Sequence, residues 1–254
     1  MIIILSPSKT MNFEDQVTAT KYSSPVFQRE AQTLVQTLQQ FKPEDIKKLM
    51  DVNDKIAELN YQRFQEFDLS FTPSSGRQAL LAYRGDVYAG LDIANYSEQD
   101  LKFAQEQVRI ISGLYGLVCA LDVIQPYRLE MGNKLENPHG KDLYTFWGHK
   151  ITDQIRKELQ EHQNQILVNL ASNEYYKAID QDQVKQQLVT PVFKEYKDGK
   201  YKTIAIYAKK ARGMMTDYII QNKIEDPEGI KDFDYEGYHF NADLSSDREW
   251  IFTR

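Results

Sequence analysis

A chain of 254 residues that is 41% hydrophobic and 27% charged, with 12 Gly and 8 Pro, can build a real core and is not a disordered or low-complexity sequence. Its net charge of −6 argues against wholesale non-specific coating of nucleic acid but leaves room for a local basic site. The apolar run Ile2 to Leu5 is far short of a signal-peptide core or a membrane span, and the single cysteine, Cys119, rules out an internal disulfide, so a cytoplasmic protein with no membrane partner is expected.

MIIILSPSKT reads as a buried β-branched strand that stops at Ser6-Pro7. Apolar residues at 27, 31, 34, 35, 38 and 41 give 25–41 a helical spacing, with Pro25 suited to the first turn. Residues 43–67 read as two short helices broken at Met50-Asp51-Val52-Asn53-Asp54; Pro43 starts the first and Asp54 is expected to cap the second. A short helix ending near Tyr83–Gly85 follows, then a Ser97-x-x-Asp100 capping pattern before the strand Val108–Ser112. Residues 142–161 are expected to form one aromatic helix, 165–172 a strand, and Asn173 to open a helix. Two strands flank Asp198-Gly199, a strong hairpin signal, and the second is expected to run through TIAIYA before a helix at 211–222. The tail reads as a closing pair of short strands. With no repeat and no break in composition, residues 1–254 read as a single α/β domain.

Three expected strands end alike, in Ser6-Pro7-Ser8-Lys9, in Ser112-Gly113 and in Ser172-Asn173, and a fourth ends in Lys209-Lys210-Ala211-Arg212. Ligands of open α/β sheets bind beyond the carboxyl ends of the strands. If these strands are parallel neighbours, Ser6, Lys9, Ser112, Ser172, Lys209 and Arg212 meet in one cleft; otherwise Ser and Gly merely punctuate turns. From Lys194 to Arg212 there are seven cations against two anions. Successive residues of a strand point to opposite faces, so only one of Lys209 and Lys210 can join Arg212 as an anion clamp suited to a phosphate. AYRGDVYAGLD and IQPYRLEMG each combine Tyr, Arg and an acid: Tyr83, Arg84, Asp86 and Tyr88 in one, Tyr127, Arg128 and Glu130 in the other. Such groups either stack bases and hold phosphates or fix a loop through a buried ion pair.

The 43–67 pair fits a helix-hairpin-helix template at Leu49, Val52 and Ala57, with Asp51 and Asn53 in place of the two glycines, the types that best tolerate a left-handed backbone. Lys47, Lys48 and Lys55 offset the carboxylates of Asp51 and Asp54 beside any bound phosphate; an ordinary helical hairpin fits equally well. Four dispersed histidines, at 139, 149, 162 and 239, offer no metal-ligand spacing, and Glu136-x-x-His139 occurs once and beside Pro138 and Gly140, so neither a metal nor another cofactor is expected. No phosphate-loop or dinucleotide fingerprint is present.

The blocks ILSPSKTM, RGDVYAGLD, RIISGLYGLVCALDVIQPYRLEMGNKLEN, DLYTFWG, NLASNEYYKAI and YAKKARGMMTDYIIQNK, in this order from Ile4 to about Tyr238, resemble the signature blocks of the YaaA family of peroxide stress proteins. The departures are SPSKT for the commoner SPAKT, and Cys119 in a block where an extra cation is common. The resemblance implies a cytoplasmic protein that protects against hydrogen peroxide, linked to lower free iron and less oxidative DNA damage. It also implies one α/β domain with a central mixed sheet flanked by helices, a helix-hairpin-helix-like module and a basic cleft suited to DNA. The family positions kept here include Lys9, Arg84, Arg128, Lys209, Lys210 and Arg212; no established reaction comes with them. Two functions are therefore expected to compete. The first is DNA binding through the cleft and the hairpin residues Lys48, Asp51, Val52, Asn53 and Lys55. The second is an enzyme acting on a small anionic or nucleotide-like substrate in the same cleft. A duplex needs a trough on the order of 20 Å across, a metabolite a pocket of roughly 300–1,000 Å³.

Overall fold

The computed structural model describes residues 1–14, 21–68, 70–185 and 187–254. The strands of its main sheet are β1 (Ile2–Leu5), β2 (Val108–Ser112), β3 (Gly116–Cys119), β4 (Leu167–Asn169), β5 (Leu188–Lys197), β6 (Lys200–Lys202), β7 (His239–Phe240) and β8 (Glu249–Thr253). They form one eight-stranded sheet in the order β7-β8-β5-β4-β1-β2-β3, with β6 paired to β5. Strands β8, β5, β4, β1 and β2 run parallel; β3, β6 and β7 are antiparallel additions, so the sheet is mixed. All four residues of β1 are buried, as an uninterrupted apolar run in a central parallel strand requires.

The main helices are α1 (Gln28–Gln39), α2 (Pro43–Met50), α3 (Asp54–Gln65), α4 (Glu98–Gln107), α5 (Leu143–Trp147), α6 (Lys150–Leu159), α7 (Asn173–Tyr176) and α8 (Ala205–Gln221). One contiguous core runs from Met1 to Phe252 and takes in residues of all eight helices. The Ser97 hydroxyl and the Asp100 carboxylate close the capping box that starts α4. Asp198 and Gly199 both adopt left-handed backbone (φ 53° and 75°), which turns β5 into β6.

Three expectations are corrected. Residues 142–161 are two helices, because Gly148 leaves helical geometry at φ 48° and ψ −122°. Asn53, not Asp54, caps α3: its side chain accepts the Ile56 N–H at 3.0 Å. The run TIAIYA is not a strand. Strand β6 ends at Lys202 and α8 begins at Ala205, with Ala208, Ala211, Met215 and Ile219 buried at a helical spacing. The cations at 209, 210 and 212 therefore project from a helix.

Candidate functional site

The chain leaves β1 toward β2 on one side of the sheet and leaves β4 toward β5 on the other. Adjacent parallel strands whose continuations diverge open a crevice at their carboxyl ends. Ser6 and Ser172 lie at that point. The Ser172 N–H donates to Ser6 Oγ at 2.8 Å, and the Ser6 hydroxyl donates to Ser172 Oγ at 3.2 Å.

Beyond the two serines lies a cavity of about 380 Å³. It is lined by the 6–10 segment, the 84–88 turn, Glu130, Ser172, Glu174 and Tyr175, and by Lys209 and Arg212 of α8. Helix α8 is seated on the 84–96 segment by backbone contact. A Cβ on Gly213 would come within 1.8 Å of the Val87 carbonyl oxygen, and one on Gly90 within 2.4 Å of the Lys210 carbonyl oxygen. One turn further along α8, buried Asp217 accepts the Asp92 N–H at 2.8 Å and the Tyr96 hydroxyl at 2.7 Å. Those contacts fix the helix so that Arg212 and Lys209 face the cavity.

Most charged side chains of the cavity are already matched. Glu130 accepts Lys9 at 2.6 Å through one oxygen and meets Arg128 at 3.4 Å through the other. Lys209 lies 3.7 Å from Asp86, and Arg84 donates to the carbonyls of Leu81 (2.8 Å) and Tyr83 (2.9 Å). Arg212 differs: half-buried, its guanidinium has no hydrogen bond or ion pair with any described residue. Burial pulls its pKa down, yet a guanidinium stays charged at neutral pH. Among the described residues, four cations face three carboxylates across the lining, so the cavity is near neutral rather than a basic trough.

Among the residues that the sequence singled out, Ser6, Lys9, Arg84, Ser172, Lys209 and Arg212 line this cavity. Arg128 sits in an adjoining crevice with Tyr127 and Tyr175. Two fall outside. Ser112 is fully buried; its hydroxyl lies 2.6 Å from Tyr127 OH and accepts the N–H of Leu114 and Tyr115, so it shapes the turn after β2. Lys210 points away to Glu236 at 2.5 Å, because one helical position turns it about 100° from Lys209. The tyrosines of the two Tyr-Arg-acid patches are buried (Tyr83 0%, Tyr88 4% and Tyr127 3% exposed) and cannot stack a base; Tyr83 OH meets Tyr127 OH at 2.7 Å and ties the two loops together. Glu174 and Tyr175, two and three residues past Ser172, are cavity residues that the sequence reading passed over. Their place just beyond a strand's carboxyl end was the available signal.

In the helical hairpin, Asp51 is left-handed (φ 50°, ψ 58°), whereas Asn53 is extended (φ −74°, ψ 167°), so only the first of the two template glycines needed such a substitute. The Asp51 and Val52 N–H groups both return to the Lys47 carbonyl. Lys47 pairs with Asp54 at 2.7 Å, while Lys48 and Lys55 are exposed, and Lys48 lines a separate groove with Phe41, Asp45 and Lys134.

The family model described as "Peroxide stress protein YaaA" matches residues 1–244. The chain belongs to the YaaA family of peroxide stress proteins. Similar chains include a "UPF0246 protein" of Saccharophagus degradans, 47% identical over all of this chain and 99% of its own length. Others of the same description come from Teredinibacter turnerae and Cellvibrio japonicus, each 46% identical over all of this chain and 99% and 98% of their own. Family membership supports a role in peroxide stress. Among the described residues no helix is long and apolar enough to cross a membrane, and no group of three or more His, Cys, Asp or Glu side chains could hold a metal ion.

Proposed function

We propose that this YaaA-family protein serves peroxide stress by binding a small anionic ligand, a phosphate ester or a carboxylate, in the cavity beyond β1 and β4. The observation that carries the reading is Arg212: a guanidinium held against a cavity of about 380 Å³ with no partner among the described residues. That volume suits a metabolite and is too confined for a duplex. Leaving a cation half-buried and unpaired costs stability, and an anion offsets that cost while the Arg fork supplies directional donors. Lys209, 3.7 Å from Asp86 and largely exposed, is free to swing toward the same anion. Calorimetric titration with inorganic phosphate, alkyl phosphates and nucleoside monophosphates tests this. Arg212→Ala is expected to weaken the best of them about tenfold or more, and Lys210→Ala to leave it unchanged. Equal affinities in wild type and Arg212→Ala would reject the site.

The helical hairpin supports a second reading, contact with a DNA backbone. Lys48 and Lys55 flank the turn and, among the described residues, form no ion pair. Against it, the Asp51 and Val52 amides are used within the protein and Asp51 and Asp54 repel phosphate. Duplex affinity at about 50 and 200 mM salt decides: loss in Lys48→Ala/Lys55→Ala with no loss in Arg212→Ala would place DNA on the hairpin and leave the cavity to its small ligand.

A further inference from the structure

The cavity holds a second unmatched charge, of opposite sign. Glu174, from α7, accepts the Gly132 N–H at 2.9 Å through one oxygen and has no ion pair with any described residue. The other described carboxylates of the lining are matched: Glu130 by Lys9 and Arg128, Asp86 by Lys209. Arg212 and Glu174 belong to different elements, α8 and α7, and line one cavity without meeting each other. Two opposite charges that share a confined space and leave each other unpaired select a ligand that carries both complements.

We infer that the ligand is a zwitterion, with a phosphate or carboxylate for Arg212 and an ammonium for Glu174. A simple anion would satisfy Arg212 and bring its remaining charge toward an uncompensated carboxylate. The ammonium relieves that repulsion and gains a charge-assisted hydrogen bond. Tyr175, beside Glu174 on α7, has its hydroxyl pushed far up by burial, with the Tyr127 and Glu174 neighbours adding to the shift. It stays a neutral donor and adds no negative charge to that end. The zwitterion specificity presupposes the Arg212 anion site and adds the Glu174 end to it.

The test uses the whole protein with three probes: inorganic phosphate, ω-aminoalkyl phosphates of increasing chain length, and their N-acetyl derivatives, which lack the ammonium. The best-fitting amine is expected to bind about tenfold or more tighter than its N-acetyl derivative. Glu174→Gln, which keeps an oxygen for the Gly132 N–H, is expected to abolish that preference while inorganic phosphate, no longer repelled by the carboxylate, binds more tightly; weaker phosphate binding in this variant would count against the assignment. If phosphate binds in an Arg212-dependent way but no amine of any length outbinds its acetylated form, the zwitterion is wrong and the anion site stands. If neither phosphate nor any amine binds, both fall.

Discussion

Ser6 Oγ accepts the backbone N–H of Ser172 across 166 positions of sequence, at 2.8 Å, where β1 and β4 part to opposite sides of the sheet. The two serines have unequal tasks. Ser6→Ala strands the Ser172 N–H and is expected to cost about 1–3 kcal/mol. Ser172→Ala removes only one hydroxyl partner and should cost under about 1 kcal/mol. Urea denaturation of both variants measures the difference; equal losses would contradict it.

Gly213 is expected to be irreplaceable. Its Cβ would overlap the Val87 carbonyl, so Gly213→Ala must lift α8 off the 84–90 turn. Overpacking of this kind costs about 1–3 kcal/mol or more. Because Arg212 moves with the helix, ligand affinity should fall in the same variant. A Gly213→Ala protein with unchanged melting temperature and affinity would show that the crossing is loose.

Arg109 and Glu158 pair at 2.5 Å with little exposure of either side chain. Glu158→Ala leaves a buried guanidinium without its counter-ion and is expected to cost about 3–5 kcal/mol, read from denaturation midpoints. This pair lies away from the cavity residues, so ligand affinity in the surviving folded fraction should not change.

Glu236 has its pKa lowered by the hydrogen bond from Lys210, with Arg254 adding to it against the effect of burial. A carboxylate lowered on folding stabilises the protein fully above its ordinary value of 4.5, and that stability is lost as pH falls through the lowered value. Glu236→Gln should therefore flatten the fall in stability between pH 4.5 and the lowered value, and leave peroxide protection intact. Both partners are substantially exposed, so the pair is worth at most about 1 kcal/mol near neutral pH.

Cys119 is expected to be unreactive. Burial pushes its thiol up to about 12, outweighing the opposing influence of Arg109. The thiolate that peroxide attacks is then scarce at neutral pH. Native protein should resist both thiol reagents and sulfenic-acid trapping, and should react after denaturation. Rapid trapping of a native sulfenic acid would make Cys119 a peroxide sensor and overturn this reading.

Much of the site was legible in the chain before any coordinates. Short β-branched runs that stop at Ser6, Ser112 and Ser172 marked three parallel neighbours, and Asp198-Gly199 marked the hairpin. The α8 region misled because the β-branched Thr203, Ile204 and Ile206 and the aromatic Tyr207 suit a strand, while the deciding signal was the helical spacing of Ala208, Ala211, Met215 and Ile219. That error placed Lys210 beside the site and treated the local cation count as a basic trough. A charge count cannot reveal that Lys9 meets Glu130 and Lys209 meets Asp86, since those partners come from distant segments. Nor could it show that Ser112 turns inward to Tyr127.

The central claim is that peroxide protection runs through the cavity and, within it, through Arg212. The direct measurement is survival in hydrogen peroxide of a bacterial strain lacking its own family member and carrying this protein or its variants at equal abundance. Arg212→Ala is expected to lose protection, while Lys210→Ala and Lys48→Ala/Lys55→Ala retain it. Full protection by Arg212→Ala would contradict the account.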